Sequence, residues 1–193
     1  MNEFSYNYIQ HLKEVLDGFP HDKFNRFYEA LVTAYNQDKH IFIMGNGGSG
    51  STASHWACDI NKGCCLNQGK RFKMISLTDN IPTMLAYGND LSYEDIFVEQ
   101  LKNFFVTGDL VIGISGSGNS TNVLKAIEYA NAQGGVTVGL CGYSGGRLLD
   151  LVHIPIHIAV PDMQKAEDAH LIVGHMVLQR FLQEMGAAGK DIG

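Results

Sequence analysis

Residues 44–63 read MGNGGSGSTASHWACDINKG, and the fold turns on how this stretch is interpreted. It continues the apolar run IFIM at 41–44, so it reads as the end of a strand, a glycine-rich turn and the opening of a helix. Glycines at 45, 47, 48 and 50 let the backbone come close to a ligand, and the free N–H groups of the following helix attract an anion. His55 and Asp59 stand four residues apart and share a helix face just past the turn. One segment therefore offers an anion seat beside two groups able to bind metal or move protons.

Outward from this stretch, the same alternation recurs. KMISL (73–77), LVIGIS (110–115), VTVGLC (136–141) and HIPIHIAV (153–160) are short β-branched runs, separated by helical segments near 50–62, 80–88, 93–105 and 120–133. Strands alternating with helices predict an α/β fold, a mostly parallel sheet covered on both faces. Upstream, Phe4, Tyr8, Ile9, Leu12, Val15 and Leu16 recur at helical spacing and stop at Gly18 and Pro20. Phe24, Phe27, Tyr28, Leu31, Ala34 and Tyr35 repeat the pattern from Asp22 to about Asn36. These make an N-terminal helical hairpin over 1–37, packed either on the domain's own core or on the same helices of another subunit. The α/β core is expected over 38–186, closing with a helix from about Met163 to Met185, and 187–193 reads as a frayed or unstructured end. No linker, repeat or charge block divides the chain, so 1–193 is one domain.

Composition narrows the function. The chain has 193 residues, 45% hydrophobic and 18% charged, as expected of a globular domain with a real core. Lys plus Arg number 14 against 20 for Asp plus Glu, and the net charge of −6 argues against nucleic acid as a partner. The N-terminus carries no basic or apolar leader pattern and no 18-residue apolar run occurs, so a soluble cytoplasmic protein with no membrane partner is expected. Cysteines at 58, 64, 65 and 141 form no CxxC pair and read as reduced thiols.

In parallel sheets, ligands sit beyond the carboxyl ends of the strands, where connections leave in opposite directions. A second turn fits that place. ISGSGNSTN, 114–122, follows a strand and leads into a helix with hydroxyls at Ser115, Ser117, Ser120 and Thr121, more than a helix cap requires. GNGGSG at 45–50 also satisfies G-x-G-x-x-G, with Asp79 placed where a ribose-binding acid would sit. Against that reading, Ser51, Thr52, Ser54, His55 and Asp59 put polar groups on a helix that a dinucleotide site needs for close packing. No Gly-Lys-Ser/Thr occurs, so a P-loop is excluded, and no nucleotide cofactor is expected. The last helix brings Glu167, His170 and His175 as a second titratable cluster. Two histidines and two carboxylates from distant segments suit a metal or acid–base site. His153 and His157 alternate with Ile154, Ile156 and Ile158 and read as structural.

GNGGS at 45–49, HWACD at 55–59, ND at 89–90, GISGSGNS at 113–120 and the Glu167–His175 segment, with the helical pair before them, resemble the sugar isomerase (SIS) domain. Within it they are most similar to the phosphoheptose isomerase branch, which interconverts sedoheptulose 7-phosphate and a heptose 7-phosphate for heptose biosynthesis. The resemblance implies a five-stranded parallel sheet, a homotetramer with sites between subunits, and aldose–ketose isomerisation of a sugar phosphate through an enediol. It implies substrate contacts at Asn46, Gly47, Gly48, Asn89, Asp90, Ser115, Gly116, Ser117 and Ser120, with Ser49, Asn119 and Glu167 in the same segments. Asp59 and His175 match the acid–base pair, and one zinc per subunit would fall to His55, Asp59, Glu167 and His175.

Two positions depart from that pattern: Asp59 stands where the family has Glu, and Glu167 where it has Gln. Removing a methylene draws the carboxylate back by roughly 1.5 Å. The expectation is that Asp59 with His55 anchors a metal, and that Glu167 joins either the ligands or the proton transfer. Two carboxylates and two neutral imidazoles would balance a divalent cation. Eight positions separate Glu167 from His175, about 12 Å along a continuous helix. Either the helix starts after Glu167, or the two approach from different angles or subunits. TDN at 78–80 and GYSGG at 142–146 equally resemble SIS tetramers that associate with the bacterial replication initiator, so a non-catalytic binding or phosphosugar-sensing protein is the alternative.

Overall fold

Five parallel strands form one sheet in the order β2-β1-β3-β4-β5 in the computed structural model, which describes residues 3–66 and 69–184. Met185 and the expected tail at 187–193 lie outside the described residues. The strands are β1 (His40–Gly45), β2 (Lys73–Ser76), β3 (Leu110–Ser115), β4 (Val136–Cys141) and β5 (Ile154–His157). Successive side chains point to opposite faces, which creates two cores. Ile41 and Ile43 pack with Ile112, Ile114 and Leu140 on one face, while Phe42, Met44 and Val111 pack on the other.

Eight α-helices are present among the described residues: α1 (Glu3–Asp17), α2 (His21–Asn36), α3 (Gly47–Cys58), α4 (Ile81–Asp90), α5 (Val98–Phe104), α6 (Thr121–Ala132), α7 (Gly146–Leu151) and α8 (Met163–Glu184). The first face of the sheet is covered by α2, α3 and α8, the second by α5, α6 and α7. The expected N-terminal pair is present, but its halves differ. Phe24, Phe27, Tyr28 and Leu31 of α2 are buried, whereas α1 buries none of its residues and leaves Phe4 73% exposed.

Several boundaries differ from the sequence reading, each for a local reason. The last strand was expected to run to 160 but ends at His157. Ile158 still donates to the Cys141 carbonyl at 2.8 Å, and the Val160 carbonyl then accepts from Tyr143 at 3.0 Å, closing a turn. The helix expected over 93–105 is two pieces, a 3₁₀ turn at Tyr93–Asp95 and α5, because Ser92 is extended and its hydroxyl donates to Asp95 at 2.6 Å. The helix expected from 50 begins at Gly47 and does not end as an α-helix: residues Asp59–Gly63 form a π turn. The six-residue α7 was not expected.

The topology positions the site. From β1 the chain moves outward to β2, and from β3 it moves the other way to β4, so the adjacent carboxyl ends of β1 and β3 are the switch point of the sheet. Gly45 pairs with Ile114 across that seam, which sets the glycine turn and the seryl turn side by side.

Candidate active site

The two turns are joined by side chains. Asn46 precedes α3 in an extended conformation, and its Nδ2 donates to Asn122 Oδ1 at 2.9 Å while Asn122 Nδ2 donates back to Asn46 Oδ1 at 2.9 Å. The Tyr93 hydroxyl donates to Asn46 Oδ1 at 3.0 Å. A cavity of about 670 Å³ opens beside this pair, lined among others by Gly47, Ser51, Thr78, Asn89 and Tyr93. At the end of α4, Asn89 Nδ2 donates to Asp90 at 2.8 Å. Ser49 is buried in the first turn of α3.

In the seryl turn, the Ser115 and Ser120 hydroxyls lie 2.9 Å apart, and Ser120 precedes α6 without a side-chain bond to the helix. The turn is braced from behind. Gly118 has φ +69, and a Cβ there would meet the Gly145 carbonyl oxygen at 1.8 Å. The Gly116 carbonyl accepts from Gly142 at 2.8 Å, and Asn119 donates to the Ser117 carbonyl at 3.0 Å while accepting from the Arg147 backbone N–H at 3.1 Å. The GYSGG segment thus acts as a buttress that leaves the hydroxyl side of the turn free to meet an anion.

A third element is a titratable triad. His55 and Asp59, one helical turn apart, place Nε2 and Oδ2 at 3.1 Å. His175 from α8 brings its Nε2 to 3.2 Å from that of His55 and 3.8 Å from Asp59 Oδ2. All three ligand atoms lie within 4.8 Å of one another. Donors bound tetrahedrally at zinc distances stand about 3.3 Å apart, so the spacing and the two-imidazole, one-carboxylate composition fit a divalent cation. Two glycines make the approach of α3 and α8 possible. A Cβ at Gly174 would stand 2.1 Å from Trp56 Nε1, and one at Gly63 would stand 2.8 Å from Leu178 Cδ1. The π turn, a form concentrated at functional sites, starts at the carboxylate of the triad and carries Gly63 to that second contact.

Three of the four expected metal ligands are therefore together, and Glu167 is not with them. Since α8 is continuous from Met163, the option of a helix starting after Glu167 is ruled out, and Glu167 lies two turns before His175. Its carboxylate faces the glycine turn, 2.7 Å from where a Gly48 Cβ would be. His170 is likewise absent from the cluster. It belongs to the buried stripe Ala166, Ala169, Val173, Val177 and Phe181 of α8. Its ring nitrogens lack a hydrogen-bond partner; the Cys141 carbonyl is near enough only to offset part of the burial effect, which pushes its pKa down to about 4. His153 and His157 are structural contacts, to Thr137 at 2.8 Å and to the Tyr143 carbonyl at 2.9 Å. All four cysteines are free, and burial drives the thiols of Cys64 and Cys141 up to about 12, which makes them poor nucleophiles. Asp79 accepts from the Ser54 hydroxyl beside a Ser76–Thr78 pair at 2.6 Å, at the end of β2. Asn122 and Tyr93 were missed in the sequence: an asparagine in a first helical turn reads as capping, and a tyrosine in an apolar segment reads as core.

Strand order, paired turns at the switch point and a titratable triad define a ligand-binding α/β domain equipped for acid–base or metal chemistry. Residues 6–142 match the SIS domain model. The phosphoheptose isomerase of Clostridium acetobutylicum is 33% identical over 173 residues, 90% of this chain and 88% of that protein. That of Trichlorobacter lovleyi is 37% identical over 161 residues, 83% and 81% of the two chains. The solved phosphoheptose isomerase of Francisella tularensis superposes with a TM-score of 0.86 at 24% identity, covering 95% of this chain and 96% of that one. The chain belongs to the SIS domain family, on its phosphoheptose isomerase branch.

Proposed function

We propose that the protein is an aldose–ketose isomerase of sugar phosphates, interconverting sedoheptulose 7-phosphate and D-glycero-D-manno-heptose 7-phosphate through an enediol. The observation that carries this reading is the convergence of His55 of α3, the helix that begins at the glycine turn, with Asp59 of the π turn after it and His175 of α8. Isomerisation needs an anion seat for the terminal phosphate, and the Ser115, Ser117 and Ser120 hydroxyls at the positive end of α6 supply it. Asn46, Gly47 and Asn89 line the cavity, and they and the adjacent Gly48 backbone would meet the sugar hydroxyls.

His55, Asp59 and His175 would hold a divalent cation, zinc by their donor set. Bound there, it would polarise the substrate carbonyl and stabilise the enediolate. Glu167, the carboxylate left outside that set, takes the proton beside the carbonyl from the glycine-turn side. The 3.8 Å between Asp59 and His175 favours a second assignment, in which Asp59 is the base and His175 serves the adjacent oxygen. Among the described residues no helix is long and apolar enough to cross a membrane. With its free cysteines this suits a cytoplasmic enzyme. The uncovered apolar residues of α1, Phe4, Tyr6 and Ile9, suit burial between subunits of a homotetramer.

The test is a panel of ketose 7-phosphates and shorter ketose phosphates, assayed as purified, after chelation and after zinc is restored. Turnover of sedoheptulose 7-phosphate that falls at least tenfold on chelation and returns with zinc is expected. No turnover of any panel member in all three states would overturn the assignment.

A further inference from the structure

The amide pair that joins the two turns has a direction, and that direction is fixed by the backbone. Amide oxygen and nitrogen are distinguished by their partners. The Val123 N–H, a donor whose hydrogen cannot move elsewhere, points at Asn122 Oδ1 at 2.9 Å. Asn122 must therefore present its oxygen on that side and its Nδ2 to Asn46. Asn46 must in turn answer with its oxygen opposite Asn122 Nδ2 and its Nδ2 opposite Asn122 Oδ1. The Tyr93 hydroxyl, donating to the same Asn46 oxygen, fills its second acceptor site. With both oxygen sites and one N–H taken, a single donor of Asn46 is left for the cavity it lines.

The lock is braced by α6 itself. Lys125, three positions after Asn122, binds Asp95 at 2.9 Å and Glu94 at 3.4 Å, which holds the 3₁₀ turn carrying Tyr93 against the helix that carries Asn122. Asn122 is 2% exposed, so water does not compete for its amide, whereas Tyr93 is largely exposed on the cavity rim.

We infer that Asn122 and Tyr93 are positioning residues that fix Asn46 as an obligate hydrogen-bond donor to an oxygen acceptor of the bound sugar phosphate. The site thereby selects an oxygen that can accept at that position, a hydroxyl, carbonyl or phosphoryl oxygen, and disfavours a ligand that offers only a donor such as a protonated amine. This inference rests on the function proposed above for the identity of the ligand, but the orientation of Asn46 does not depend on it.

Two readouts test it. In deuterated, ¹⁵N-labelled protein, the Asn46 side-chain amide, identified by its loss in Asn46→Asp, is expected to exchange slowly with solvent. Its signals should shift in Tyr93→Phe and Asn122→Asp. In turnover of sedoheptulose 7-phosphate, Tyr93→Phe is expected to raise KM about threefold and Asn122→Asp about tenfold with kcat within twofold, the sizes expected for one and for two lost or opposed hydrogen bonds. A purely structural role would instead lower kcat with KM unchanged, through a smaller folded fraction. Tyr93→Phe removes only a hydroxyl from an exposed residue, so it remains informative if Asn122→Asp fails to fold. Asn46 signals that are unchanged in Tyr93→Phe, or a KM equal to that of the parent, would overturn the inference. A parent protein that turns over no ketose phosphate while its Asn46 amide is locked and released as described would overturn the functional assignment alone.

Discussion

The glycine turn after β1 and the seryl turn after β3 begin at paired residues and both feed a helix, yet opposite chemistry occupies them. At the first, the Glu167 carboxylate rests against Gly48, so the positive end of α3 already faces a negative group. At the second, the positive end of α6 faces the Ser115 and Ser120 hydroxyls, and among the described residues none of the turn's hydrogen bonds goes to a carboxylate. A glycine-rich turn is the motif usually associated with phosphate, but an anion would be repelled here by Glu167. What a helix terminus can bind depends on what α8 places in front of it as much as on the turn itself.

Glu167 is what sets the two turns apart most sharply. Glu167→Gln makes the two turns electrically alike, and if Glu167 is the base proposed for the enediol step its loss should lower kcat by about 10²-fold or more. Unchanged kcat, with circular dichroism matching the parent, would reduce Glu167 to a filler of the glycine turn and pass the base role to Asp59. A smaller effect is expected at the other turn. Ser120→Ala removes one hydroxyl from the proposed phosphate seat and should raise KM up to about tenfold while kcat holds, as suits a contact equal in ground and transition states. A lowered kcat with constant KM would move the seryl turn from binding to chemistry.

The smallest effect on turnover, and a distinct one on stability, belongs to His170. Its pKa is depressed in the folded protein to about 4, below the 6.5 of a free imidazole. The unfolded chain therefore binds the proton first, and stability is full above pH 6.5 and lost as pH falls toward 4. Across that window the loss is on the order of 3 kcal/mol. Denaturant titrations of the parent and His170→Leu at pH 7 and pH 4.5 should show the variant losing less. Equal losses would mean that His170 does not account for the acid sensitivity.

The strands and the two-faced sheet were readable because buried parallel strands are continuous apolar runs, IFIM and LVIGIS foremost. The six residues of α7 were not, since GRLLDL is too short to show a helical period and starts from Gly145 in a left-handed conformation. For the site, the separation of His170 from His175 was present in the pattern. His170 falls in phase with Ala166, Val173 and Val177, and five positions rotate His175 about 140° away from it. Helical phase, not the number of titratable residues in the segment, separates the two histidines. The π turn had no such signal; its last residue, Gly63, lies against Leu178 of a helix more than a hundred residues later. Nor could spacing place Glu167, whose neighbour is Gly48 and not His175.

The glycine beneath Trp56 gives the triad an adjustable dimension. The gap between α3 and α8 is set by the absence of a side chain at Gly174, next to His175, and by the same absence at Gly63 one contact further on. A methyl group at 174 would act as a shim, prising the helices apart and shifting His175 away from His55 and Asp59 without replacing any of the three. Added bulk at either position would change the spacing of the three side chains without changing one of them, because the caliper that sizes the triad lies underneath it.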